Sequence, residues 1–235
     1  MTQQAPELIC ITGTTGSGKN HLGVLVAERL GAEIISLDSM KVYRGMDIGT
    51  AKPGAHERAR VRHHLIDILD PRDHMDLRQF LARAEVAVTE IRGRGQRVVC
   101  VGGTAMYLAG LLYGVMDGPS RDADFRAALR RERDESGTEA LHRRLQDVDP
   151  DSAARIMPAD YQRIERALEI HALTGRPATA FRQDWFQGPA RPATLYVLTW
   201  PRDELRRRIF ARVDQMFDSG WLDEVRALIA AGGLG

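Results

Sequence analysis

Long apolar runs are missing from this chain. No stretch of about 18 consecutive apolar residues occurs and the N-terminus lacks a basic-then-apolar leader, so the expectation is a cytoplasmic protein without a membrane partner. Cysteine is nearly absent. Cys10 and Cys100 both fall in apolar, strand-like runs, which predicts buried thiols and excludes a disulfide scaffold or a cysteine metal site. A charge excess of either sign is absent too: 33 basic against 32 acidic residues leave a net charge of +1, so any polyanion must be met by a local patch. Lysine is scarce among the basic residues, with Lys19, Lys41 and Lys52 the only three among those 33.

Apolar residues make up 43% of the 235 positions, enough to bury the core of one large domain or of a domain carrying an insertion. The chain is organised around Gly13, Thr14, Thr15, Gly16, Ser17, Gly18, Lys19 and Asn20. An apolar run, Leu8 to Ile11, precedes this stretch, and a helical pattern with Leu22, Val26 and Leu30 on one face follows it. Strand, glycine-rich turn and helix form the context in which a G-x-x-x-x-G-K string cradles phosphate, through inward-pointing amides, a helix N-terminus and a mobile lysine charge. The next position ordinarily carries a Ser or Thr hydroxyl for Mg²⁺, and here it is Asn20.

Glu33 to Ser36 reads as a second strand that delivers Asp38 to the sheet edge where ligands bind in open parallel sheets. From its position, Asp38 serves equally as a metal ligand, a general base or a turn cap. The Gly-rich segment from Gly45 to Pro53 reads as an ordered loop over the site, and His63 to Leu69 as a further buried strand. On a strand His63 and His64 point opposite ways, which makes them a poor metal pair. Asp76 caps a helix whose apolar face carries Leu77, Phe80, Leu81, Ala84, Val88 and Ile91. Arg97 to Val101 is a strand, and Gly102, Gly103 and Thr104 open another helix.

From about Asp117 to Arg191 the pattern turns wholly helical, with helices over 122–135, 138–146 and 160–174. Thr194 to Trp200 returns as a strand, Pro201 starts an arginine-rich helix, and a short helix covers 222–231. The expected fold is α/β: a parallel sheet flanked by helices, resembling phosphate-loop NTPases, over 1–116 and 192–235, with an inserted all-helical subdomain over 117–191. Three activities fit a phosphate loop, a strand-end Asp and a basic helix. They are a kinase, a transferase that grips a diphosphate leaving group, and a nucleotide or RNA binder without turnover.

Several stretches resemble one family along nearly the whole chain. They are Asp38-Ser39-Met40-Lys41-Val42-Tyr43 running on to Lys52-Pro53; His63-His64-Leu65-Ile66-Asp67; Gly102-Gly103-Thr104; Asp160 to Glu169; Thr174-Gly175-Arg176-Pro177; and Arg208 to Arg212. Together they are similar to the tRNA dimethylallyltransferases. The resemblance implies transfer of a dimethylallyl group from its diphosphate to the exocyclic amine of the adenosine 3′-adjacent to the anticodon, by a monomeric enzyme using Mg²⁺. Residues 13–20 would hold the diphosphate, Lys19 and Arg212 would stabilise its departure, and Asp38 would take the amine's proton. Asp38, Ser39, Met40, Lys41, Thr104, Arg126, Gln162, Arg163, Ile164, Glu165 and Arg166 would meet tRNA, the insertion gripping the anticodon stem-loop. An adenylate isopentenyltransferase and an inactive RNA-binding relative are the alternatives. Asn20 and Lys41 depart from the family's usual Thr or Ser and frequent Gln. The chain ends at Gly235, short of the family's further helical region, which carries the expectation of weakened RNA binding.

Overall fold

A computed structural model describes residues 8–115, 118–187 and 191–233. They divide into two compact units, Met1–Leu112 with Arg191–Gly235, and Tyr113–Ala190. The residues expected at the first boundary, Met116 and Asp117, lie outside those described, as do residues 188–190, Leu234 and Gly235.

The first unit is built on a five-stranded parallel sheet, in the order β3-β2-β4-β1-β5. The strands are β1 (Leu8–Gly13), β2 (Ala32–Ser36), β3 (His63–His64), β4 (Arg97–Val101) and β5 (Ala193–Leu198). β1 and β4 lie inside the sheet and read as apolar runs because helices can cover both faces of a parallel sheet. Cys10 and Cys100 are register partners across these two strands, and both are free, buried thiols as expected.

Around the sheet lie α1 (Lys19–Leu30), α2 (Ala55–Arg60), α3 (Leu77–Gly93), α4 (Ala105–Tyr113), α10 (Arg202–Asp218) and α11 (Trp221–Ala230). Asp76 accepts from the Gln79 amide at 2.8 Å while the Gln79 side chain accepts from the Asp76 amide at 3.1 Å. A reciprocal cap of this kind is worth about 1 kcal/mol. It sets Phe80, Leu81, Ala84, Val88 and Ile91 on the buried face of α3, where Phe80 stacks on Tyr107 of α4 with ring centroids 3.7 Å apart. At Gly23 in α1 a Cβ would fall 2.6 Å from Val101, so glycine lets that helix lie close on β4.

The strand expected over His63–Leu69 is shorter than its sequence suggests. Only His63 and His64 pair with β2, because Leu65 (φ 60°) and Asp67 (φ 57°) adopt left-handed backbone that breaks the ladder. Asp67 is recruited instead into a charged cluster, described below. Neither α2 nor the short helices of the second unit were evident from periodicity. Each is a few turns long at most and is held by tertiary contacts.

The second unit contains α5 (Ala123–Ser136), α6 (Thr138–Val148), α7 (Pro150–Ala153), α8 (Tyr161–Thr174) and α9 (Ala178–Gln187). Its core is Leu129, Leu141, Leu145, Ile164, Ala167 and Leu168. Asp149, almost fully buried, accepts from the amides and hydroxyls of both Ser152 and Thr179, which ties the start of α7 to the start of α9. Among the described residues no helix is long and apolar enough to cross a membrane.

Candidate active site

The turn after β1 curls as its glycines allow. Gly16 and Gly18 have φ of 81° and 86°, conformations that L side chains rarely adopt. Gly18 is the N-cap of α1 and Lys19 its first residue, so the helix amides face the turn. The Lys19 ammonium donates to the Thr14 carbonyl at 3.2 Å. Burial lowers its pKa; Asp38 acts to raise it and Arg212 to lower it further, which puts both residues within its electrostatic reach. Gly103 leaves room for it, since a Cβ there would stand 3.3 Å from Nζ.

A cavity of about 890 Å³ opens over this turn. Gly13, Thr14, Thr15, Lys19, Asp38, Thr104 and Arg212 form its polar side, and Met40, Met46, Ile209, Trp221, Val225 and Leu228 its apolar side. Of the residues expected to bind diphosphate, Gly13, Thr14, Thr15 and Lys19 line the cavity, while Gly16, Ser17 and Gly18 shape the turn without lining it. Ser17 is buried, its hydroxyl without a partner among the described residues. Asn20 lines a separate small cavity with Lys41.

Asp38 reaches this edge because β2 ends at Ser36 and the next turn is pinned to the loop after β4. The Leu37 carbonyl accepts from the Thr104 amide at 3.2 Å, and Thr104 Oγ1 accepts from the Ser39 amide at 3.1 Å. One Asp38 oxygen accepts from the Met40 amide at 2.9 Å. The turn-capping role is thus present, and it leaves the second oxygen for chemistry. Lys41 is buried with its carbonyl accepting from the Asp67 amide, and burial lowers its pKa to about 8.

Three supports of the site have no counterpart among the sequence expectations. Glu224 in the first turn of α11 accepts from the amides of Asp47, Ile48 and Gly49 at 2.7, 2.7 and 3.1 Å, holding the loop at the cavity rim. Lys52 donates within the same loop to Asp47 and, at 2.5 Å, to Asp67, which also accepts from Arg58 at 2.7 Å. The loop is therefore ordered as expected. Trp200 donates to the Ser17 carbonyl at 2.9 Å and carries the Arg208 guanidinium 3.8 Å from its ring centroid, so a cation–π contact braces the phosphate turn. A carboxylate 175 residues from its amide partner has no local signal; only the acidic first turn of α11 hinted at it.

The remaining expected RNA contacts lie in the second unit. Gln162 and Arg163 are exposed, and Arg163 pairs with Asp160. Arg126 and Arg166 both grip Glu169, which is fully buried, and Arg126 also meets Glu165. Burial raises the Glu169 pKa, but bonds from Arg126, the Asp122 amide and Arg166 outweigh it and hold it at about 2. Ile164 has no exposed surface and packs in the unit's core. A side chain without surface has none to offer RNA, so the expectation for Ile164 gives way to a packing role.

Comparison with known proteins follows the same lines. Residues 41–234 match the family model described as IPP transferase. A tRNA dimethylallyltransferase of Anaeromyxobacter dehalogenans is 47% identical over 95% of this chain and 75% of its own length, and one of Myxococcus xanthus is 46% identical over 97% and 75%. Among solved structures, a tRNA isopentenylpyrophosphate transferase of Bacillus halodurans superposes with a TM-score of 0.64 at 42% identity, covering 97% of this chain and 71% of that one. A eukaryotic dimethylallyltransferase solved acting on tRNA superposes at 0.77 with 27% identity, covering 96% and 56%.

Proposed function

The chain belongs to the IPP transferase family, and we infer from its site that it transfers a dimethylallyl group from dimethylallyl diphosphate to the exocyclic amine of an adenosine in tRNA, releasing diphosphate. The observation that carries this reading is the two-sided cavity, in which a phosphate turn with Lys19 and Arg212 faces an apolar wall and Asp38 stands on the polar side. A prenyl diphosphate has the same two-sided character. Carbon–oxygen cleavage leaves the bonding pair on diphosphate, where the turn amides, Lys19 and Arg212 meet the new charge. The amine nitrogen forms the new bond to the allylic carbon and its proton passes to Asp38. Adenine's amine is a weak nucleophile, so its placement against that carbon contributes as much as the base.

In this proposal the adenosine is the one 3′-adjacent to the anticodon, and it leaves its stack to enter the cavity. The second unit takes the anticodon stem-loop, with exposed Gln162 and Arg163 as contacts and Arg126 and Arg166 holding α5 to α8 behind them. Single-stranded loops are where proteins ordinarily read RNA sequence. The enzyme is proposed to be a cytoplasmic monomer. The relatives above are named for tRNA, which disfavours a free adenylate as acceptor. Labelled dimethylallyl diphosphate offered with an anticodon stem-loop or with adenosine monophosphate tests the reading. Label in the RNA is expected; label only in the nucleotide would overturn it.

A further inference from the structure

In phosphate loops the residue after the lysine presents a hydroxyl to Mg²⁺. At that position Asn20 lines a cavity of about 20 Å³ together with Ser36, Lys41, Glu57 and His63. Two features make this a poor divalent site. A space of that size takes about one water, whereas Mg²⁺ keeps several of its own and demands octahedral oxygen ligands. The lining also holds a buried ammonium alongside its single carboxylate, Glu57, and one Glu57 oxygen already accepts from the Gly54 amide. Among the described residues no group of three or more His, Cys, Asp or Glu is disposed to hold a metal ion.

Lys41 is only 4% exposed, and its backbone is fixed by the Asp38 turn before it and by the bond from Asp67. Asp38, Lys19, Arg212 and Glu57 all act on its charge, so it stands in the same field as the phosphate turn. An ammonium away from water acts far more strongly than one in solvent.

We propose that Lys41 supplies, as a fixed ammonium, the positive charge that a divalent ion supplies elsewhere, and that this site binds prenyl diphosphate without requiring a metal at Asn20. The proposal rests on the prenyl-diphosphate reading of the cavity. It explains why a side chain as costly to bury as lysine stands beside a loop that has lost its hydroxyl.

Calorimetric titration of inorganic diphosphate tests it, on the whole chain, in EDTA and in Mg²⁺. Wild-type affinity is expected to change by less than about fivefold between the two buffers, and Lys41→Gln to lose about fivefold or more in EDTA. The double variant Asn20→Thr with Lys41→Gln should recover its affinity in Mg²⁺ alone, a dependence that a purely structural lysine would not create. A wild-type loss of about fivefold or more in EDTA, or unchanged binding by folded Lys41→Gln, overturns the proposal. The EDTA comparison needs only the wild-type chain, so it decides the matter even if Lys41→Gln does not fold. Binding in neither buffer would instead bring down the reading of the cavity, and the metal proposal with it.

Discussion

The phosphate turn and the helical unit handle their cations in opposite ways. Around the phosphate turn, Lys19 donates to a backbone carbonyl and stands at an open cavity with Arg212 and Asp38. In the helical unit, Arg126 and Arg166 are closed onto Glu169, a carboxylate without exposed surface. A cation held only by a carbonyl dipole can turn to an incoming anion, whereas one satisfied by a buried carboxylate cannot leave without stranding a charge. The same residue types thus serve chemistry at the turn and architecture around Glu169.

Variants can break that contrast. Asp38→Ala is expected to reduce transfer by about 10³-fold or more while diphosphate affinity stays within a few-fold, as for loss of a general base. Single-turnover kinetics beside calorimetry check this, and unchanged turnover would remove Asp38 from the mechanism. Glu169→Ala should destabilise the helical unit by about 3 kcal/mol or more, because two guanidinium groups lose a shared partner. The pH arm has a definite sign. With its pKa held at about 2, Glu169 contributes stability that is complete above its ordinary 4.5 and is lost as pH falls from there toward 2. Acid melts followed through Trp185 fluorescence would show whether the variant has lost that dependence.

Lys41 sharpens the comparison from the other side. Its pKa of about 8 lies below the ordinary 10.5, so burying the charged form costs stability below pH 8, and the cost is relieved as pH rises toward 10.5. Lys41→Met should therefore raise stability at pH 7 by up to about 3 kcal/mol while weakening diphosphate binding. A denaturant midpoint that falls would show Lys41 to be a structural cation like Arg126. The smallest effect is expected at Arg163, whose side chain is 74% exposed. Arg163→Ala should leave stability within about 0.5 kcal/mol but weaken stem-loop RNA binding, read by filter retention at fixed salt.

Legibility followed the range of the forces involved. The phosphate turn, the Asp76 cap and the apolar face of α3 arise from neighbours within four residues, and each appears where the sequence places it. The His63–Leu69 run reads as a strand because Leu65, Ile66, Ile68 and Leu69 are apolar, but left-handed turns at Leu65 and Asp67 divert Asp67 to Lys52 and Arg58. Ile164 sits in a motif that suggested RNA, and α8 turns it inward.

By itself the sequence determined where phosphate would be gripped and which carboxylate would stand beside it, since a glycine turn between strand and helix and an aspartate just past a strand end are local constructions. Only the tertiary structure decided which cations remain available and what braces the site. Glu224 meets the loop amides across 175 residues, Lys41 is buried beside Asn20, and Glu169 occupies two arginines. The partners of Glu224 and Arg126 are set by packing in three dimensions, and they lie too far apart along the chain for spacing to record them.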